Sequence, residues 1–168
     1  MDTSGENIYT NGSYQHKNPA WFAEDSAWKA RVIYELIKRN RLTPASITEV
    51  GCGVGEILWQ LSGLVKETEF FTGYDIAPFA IEAARKKETE RVRFYLADFD
   101  VAMKIPCDLV LVIDVIEHIP DYYGFLLKLR NKSSQFIFHV PLDLSCRTLL
   151  KPQVIRQQRK DVGHLHYF

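Results

Sequence analysis

The chain has 168 residues, of which 46% are hydrophobic, 12% aromatic and 25% charged, the make-up of one globular domain. Lys+Arg and Asp+Glu both total 21, so there is no basic excess to grip nucleic acid or anionic membrane generally. No apolar run reaches the roughly 18 residues of a membrane span, and Cys52, Cys107 and Cys146 are too scattered for a disulfide framework or CxxC metal site.

The polar N-terminus lacks the basic-then-apolar order of a signal peptide, and sparse cysteines fit a reducing cytoplasm. Cytoplasmic is therefore the expected location. Up to about residue 20 the chain reads as an irregular arm rich in Asn, Gly, Ser and Tyr. Ala27, Ala30, Ile33, Leu36 and Ile37 then recur at helical spacing, predicting a helix over Ser26 to Arg39. Ser26 is its expected cap, and Pro44 lies beyond its end.

After Pro44 short apolar runs alternate with helices. Strands are expected at Ile47–Val50, Glu69–Tyr74, Val92–Ala97, Asp108–Ile113 and Gln135–Val140. Helices are expected at Glu56–Val65, Pro78–Lys87, Tyr122–Leu129 and about Leu149–Lys160. The run Asp108–Ile113 is apolar after its first residue, as a parallel strand buried on both faces requires. This alternation predicts an α/β fold: a doubly wound, mainly parallel, Rossmann-like sheet of about five visible strands with an N-terminal helical extension. Residues 1–44 are expected to form an arm and helix that cap the site, and residues 45–168 the ligand-binding domain.

The first strand runs into Glu49-Val50-Gly51-Cys52-Gly53-Val54-Gly55-Glu56, where a helix opens. Glycines at such a turn let a ligand lie against bare backbone. A phosphate-binding P-loop would need Gly-Lys-Ser/Thr, which is absent. A dinucleotide site would want glycine or alanine where Glu56 stands, because a carboxylate there repels a pyrophosphate. The loop suits a ligand without phosphates.

Here the sequence resembles the class I S-adenosylmethionine (SAM) methyltransferases, whose first motif is an acidic residue followed by Gly-x-Gly-x-Gly. Glu49, Gly51, Gly53 and Gly55 match it. Tyr74-Asp75-Ile76-Ala77, Ala97-Asp98-Phe99 and the segment Asp108–His118 with Ile119-Pro120-Asp121 match the ends of the second, third and fourth strands. The resemblance implies an enzyme that passes a methyl group from SAM to an O, N or C nucleophile of a small molecule, leaving S-adenosyl-L-homocysteine (SAH). It assigns cofactor binding to Glu49, Gly51, Cys52, Gly53, Gly55, Asp75, Ile76, Asp98, Phe99 and Asp114. Asp75 would hold the ribose hydroxyls and Asp98 the adenine amino group, with Ile76 and Phe99 on the ring. Glu49 would serve the loop and the methionine ammonium. An inactive SAM-binding subunit, or an enzyme like the RNA 2′-O-methyltransferases that use a divalent metal, are the alternatives.

Candidate chemistry lies after the fourth strand. Asp114, Glu117 and His118 are spaced i, i+3, i+4, which a helical turn would place on one face. Glu117 and His118 are the candidate catalytic residues. His118 reads equally as a base or as a structural histidine closing the loop. His139, near the end of the fifth strand, is a further candidate base whose favoured reading is packing, and Cys52 reads as a small apolar residue. The Asp114, Glu117, His118 segment also resembles one that holds a divalent ion in some ubiquinone-pathway and small-RNA O-methyltransferases, with His164 near a further ligand. The reading adopted nevertheless assigns no metal ligand. The aromatics Tyr9, Tyr14, Trp21, Phe22 and Trp28 are expected to cover the site or dock the first helix. The family pattern also has sixth and seventh strands, so residues 45–168 are expected to fall short of the complete domain, leaving Gln135–Val140 as an apolar edge for the missing strands or a partner subunit's strand to cover.

Overall fold

A computed structural model describes residues 23–142, 144 and 163–168. The arm aromatics Tyr9, Tyr14, Trp21 and Phe22, and the helix expected at Leu149–Lys160, lie outside the described residues. After a 3-10 turn at Ala23–Asp25, helix α1 runs Ser26–Arg39 and buries Ser26, Ala30, Ile33 and Ile37. Ala27 and Leu36, expected on that stripe, are exposed. Ser26 is not the cap. The cap position is Asp25, whose backbone is already helical (φ −85°, ψ −8°) and whose side chain makes no cap bond. Side-chain capping needs extended backbone, which the preceding turn denies. At the other end Arg41 takes φ 55° and Leu42 N–H donates to Ile37 O at 3.0 Å, a left-handed stop.

The strands are β1 (Ser46–Val50), β2 (Phe70–Asp75), β3 (Val92–Leu96), β4 (Leu109–Ile113) and β5 (Phe136–His139). All pairings are parallel, in the order β3-β2-β1-β4-β5. Helices α2 (Glu56–Leu64), α3 (Pro78–Arg85), α4 (Phe99–Ala102) and α5 (Tyr122–Leu129) alternate with them. Pro78 opens α3 at its first turn, where its missing N–H costs nothing.

Strand β4 is buried throughout. Leu109, Leu111 and Ile113 join Ala30, Leu58 and Ile81 in one core, while Val110 and Val112 join Phe99, Phe125 and Leu129 in the other. The first core thus lies under α1, α2 and α3 and the second under α4 and α5, the doubly wound arrangement. Each fully buried aliphatic side chain contributes about 1.5–3 kcal/mol, so β4 anchors both layers.

Two short elements go beyond the sequence expectation. Helix α4 starts where Asp98 accepts the Asp100 N–H at 2.9 Å, and a 3-10 turn covers Ile116–His118. Strand β5 is the outer strand among the described residues, with Phe136 and Ile137 half-buried and Phe138 exposed. Among the described residues no helix is long and apolar enough to cross a membrane. The strand order reverses direction at β1, so the crevice between the carboxyl ends of β1 and β4 is the natural ligand site.

Candidate functional site

A cavity of about 700 Å³ opens at that crevice, within the size range of small-molecule sites. Gly51, Asp75, Asp98, Asp114, His118 and His139 are among its lining residues. So are Glu49, Cys52, Gly53, Ile76, Phe99 and Glu117.

The glycine loop after β1 is a tight turn tied to β2. Gly51 N–H and Cys52 N–H both donate to Tyr74 O, at 2.8 and 3.1 Å. Gly51 has φ 74°, and a Cβ there would meet Val115 Cγ2 at 2.5 Å. The loop therefore keeps bare backbone toward the cavity. Gly55 does not line the cavity. It precedes α2 with φ 73° and lies where a Cβ would sit 2.5 Å from the Phe94 ring, so it packs helix against strand.

Asp75 ends β2 with both carboxylate oxygens engaged: Gly53 N–H donates to Oδ2 at 2.7 Å and Ala77 N–H to Oδ1 at 2.8 Å. Burial raises its pKa, and the backbone bonds oppose that rise. Each oxygen retains a further lone pair for a hydroxyl. Asp98 caps α4 and still lines the cavity, with Ile76 exposed and Phe99 buried beside it.

Glu49 is buried on β1, 1% exposed. Desolvation, with Asp75 and Asp114 adding repulsion, pushes its pKa up to about 8. Its Oε2 has no hydrogen-bond partner among the described residues. A buried acceptor left this way fits a ligand that brings its own donor. Burial also holds the Cys52 thiol well above its ordinary pKa, so it stays a neutral thiol, as a small apolar residue should. Glu56 pairs with Lys87 at 3.5 Å, which partly offsets its charge at the start of α2.

The geometry after β4 corrects one expectation. Asp114 lies outside the 3-10 turn, with φ 54°, and does not join Glu117 and His118. Its Oδ2 accepts from Lys29 Nζ at 2.6 Å and its Oδ1 faces His139 Nδ1 at 2.5 Å. The positive φ breaks the helical spacing on which the shared face depended. Lys29, from α1, is a site residue the sequence reading missed. Trp28, beside it, is 59% exposed and stands edge-on to His139, with centroids 6.3 Å apart.

Glu117, His118 and His164 form a separate cluster, with possible ligand atoms all within 4.8 Å of one another. The segment 163–168 closes on this turn: Leu165 N–H and His166 N–H donate to Glu117 O at 2.7 and 3.1 Å. His118 Nδ1 lies 3.3 Å from Gly163 O, an arrangement that turns Nε2 toward Glu117 Oε1 at 4.0 Å. A carbonyl partner on one imidazole nitrogen is the usual support for a metal ligand on the other. The donor set suits a borderline divalent ion once its atoms draw in to ordinary ligand distances of ~2.0–2.2 Å.

The chain is similar in fold to several solved structures. The plantazolicin methyltransferase BpumL, in complex with a monoazolic desmethylPZN analog and SAH, is 20% identical with a TM-score of 0.55, over 91% of this chain and 58% of that one. Coclaurine N-methyltransferase, bound to N-methylheliamine and SAH, is 22% identical with a TM-score of 0.52, over 66% of this chain and 36% of that one. The methyltransferase domain of bacterial CtHen1 is 17% identical with a TM-score of 0.61, over 83% and 86% respectively. The chain thus spans less than two thirds of the length of each of the first two proteins. No curated protein matches it. A family model described as a methyltransferase domain matches residues 48–132, about half of the chain and the part that carries the glycine loop, Asp75, Asp98 and Asp114, and the chain belongs to that family.

Proposed function

We propose that the chain binds S-adenosylmethionine in the β1–β4 crevice and transfers its methyl group to an O, N or C nucleophile of a small molecule. One observation carries this reading: Glu49 Oε2 is buried and unpaired among the described residues, beside a glycine turn that keeps backbone bare. The cavity wall holds Glu49, Asp75, Asp98 and Asp114 against Lys29. Such an acidic wall favours a cationic ligand over a pyrophosphate.

S-adenosylmethionine supplies a methyl group already activated on a sulfonium. Gly51 and Gly53 give the ligand backbone to lie on, and Asp75 accepts from the ribose hydroxyls. Asp98 accepts from the adenine amino group while Ile76 and Phe99 cover the ring. Glu49 receives the methionine ammonium. Glu117 and His118 stand on the acceptor side, where alignment and exclusion of water supply much of the rate. SAH-bound structural relatives support the cofactor assignment. A cytoplasmic setting belongs to the same proposal and is supported by the sparse cysteines. The test is transfer of tritium from methyl-labelled SAM into a desalted metabolite extract. Label in a protein-dependent product supports the reading, while binding of SAM without transfer to any extract marks an inactive subunit.

A second reading is favoured by the Glu117, His118 and His164 cluster: a divalent ion held by these three would draw an acceptor hydroxyl toward the methyl group and acidify it.

A further inference from the structure

Lys29, Asp114 and His139 come from three different elements and meet at one wall of the cavity. Asp114 leaves β4 in the left-handed region, φ 54°, a posture costly for a residue with a side chain and typical of functional sites. It is pinned there twice. Its N–H donates to His139 O at 3.0 Å, and its carboxylate is shared between Lys29 Nζ at 2.6 Å and His139 Nδ1 at 2.5 Å. Trp28 stands edge-on to the same imidazole, with an interplanar angle of 83°. The ring is thereby fixed in position, and it lines the cavity that holds Gly51 and Asp75.

We infer that His139 is the base that takes the proton from the methyl acceptor, with Asp114 as the residue that holds its tautomer. The inference rests on the SAM reading above. A carboxylate only accepts, so His139 Nδ1 carries a proton, and in the neutral imidazole Nε2 then holds the lone pair. This is the logic by which a carboxylate orients a catalytic imidazole. Lys29 is the positioning residue that holds the far oxygen of Asp114. His118, the base candidate from sequence, has its Nδ1 on Gly163 O and its ring against His164, centroids 4.9 Å apart. Both rings line the cavity, but His118 is held by a carbonyl of the 163–168 segment, whereas His139 is held by a carboxylate, which stabilises the imidazolium that a base becomes. Packing alone, the reading of His139 that the sequence favoured over a base, does not account for a carboxylate shared between it and a lysine.

The step balances without a further reactant. The acceptor heteroatom's lone pair forms the bond to the methyl carbon, the carbon–sulfur bond breaks with its electron pair passing to sulfur, and the acceptor's proton goes to Nε2. The positive charge that begins on sulfur ends on the imidazolium, next to Asp114. A base in this place implies an acceptor that must lose a proton, and a phenol or other acidic hydroxyl is the class best matched to imidazole.

The test uses the full chain with ¹⁵N-labelled histidine and SAH as the probe. Long-range proton–nitrogen spectra report the tautomer of each of the five histidines, and His139→Asn identifies the signal. The expected result is a proton on Nδ1 and none on Nε2, with the proton moving largely to Nε2 in Asp114→Ala. In the tritiated-methyl assay, His139→Asn and His139→Gln should both lower kcat by about a hundredfold or more, with SAH affinity within about twofold of the unaltered chain. A proton on Nε2 in the unaltered chain, a tautomer indifferent to Asp114→Ala, or full transfer by a folded His139→Gln overturns the role of His139. Absence of SAH binding by the unaltered chain would instead overturn the cofactor reading beneath it.

Discussion

Gly53 donates its N–H to Asp75 Oδ2 at 2.7 Å, and so the loop that leaves β1 and the acid that ends β2 form a single unit. The other oxygen of Asp75 takes the Ala77 N–H, which fixes the carboxylate between two backbone donors and aims its remaining lone pairs at the cavity. Asp75→Ala removes both the ligand's acceptor and the loop's tie. Hydrogen bonds to a charged group are worth about 1.5–3 kcal/mol, so SAH affinity should fall more than tenfold by calorimetry. Unchanged affinity in a folded variant would remove Asp75 from the site.

Glu49 gives a proton-linked prediction. Its pKa of about 8 leaves it largely protonated near neutral pH. An ammonium beside it favours the carboxylate, and SAH binding should therefore release up to about one proton. Calorimetry in two buffers of different ionisation enthalpy should give different heats, and Glu49→Gln should abolish the difference. Identical heats in the unaltered chain would contradict the contact. For stability the sign follows from a folded pKa raised above the ordinary 4.5. The contribution is full below about 4.5 and is lost as pH rises toward 8, because the folded state then holds the extra proton.

Two glycines should respond in opposite directions. At Gly55, φ 73° and a Cβ 2.5 Å from the Phe94 ring combine strain with overpacking, and Gly55→Ala should lose about 2–4 kcal/mol. At Gly63, in α2, nothing lies within 4 Å of an added Cβ, and Gly63→Ala should gain about 0.5–1 kcal/mol. Thermal denaturation of the pair, at about 2–4 °C per kcal/mol, checks both. Equal midpoints would show that the Gly55 turn is not under the constraint described.

The metal reading stands apart from cofactor binding. Protein loaded with Mn²⁺ or Zn²⁺ and then desalted should retain about one equivalent by plasma mass spectrometry, and His164→Ala should lose it. SAH affinity should survive chelation, because Glu49, Asp75 and Asp98 lie outside the Glu117, His118, His164 cluster. Metal retained equally by His164→Ala would remove the assignment.

Most of the sheet was legible because the strands are short and carry recurring apolar residues between turn signals, and β4, buried at all five positions, is the plainest case. Helix α4 was not: its four residues are too short for a period to show. That the glycine loop, Asp75 and Asp98 line the cavity was readable because they stand at strand ends in fixed order. Lys29 was not, because its contact with Asp114 spans 85 positions, and a lysine between buried Ser26 and Ala30 looks like any flank of an amphipathic helix. The shared face expected for Asp114, Glu117 and His118 failed for a backbone reason, the positive φ at Asp114, which residue spacing does not encode.

The cofactor assignment is tested most directly by titrating the chain with SAH and, separately, with NAD⁺ in the calorimeter. The account predicts saturable binding of SAH, weakened more than tenfold by Asp75→Ala, and no measurable heat of binding from NAD⁺. Binding of NAD⁺ with none of SAH would contradict it.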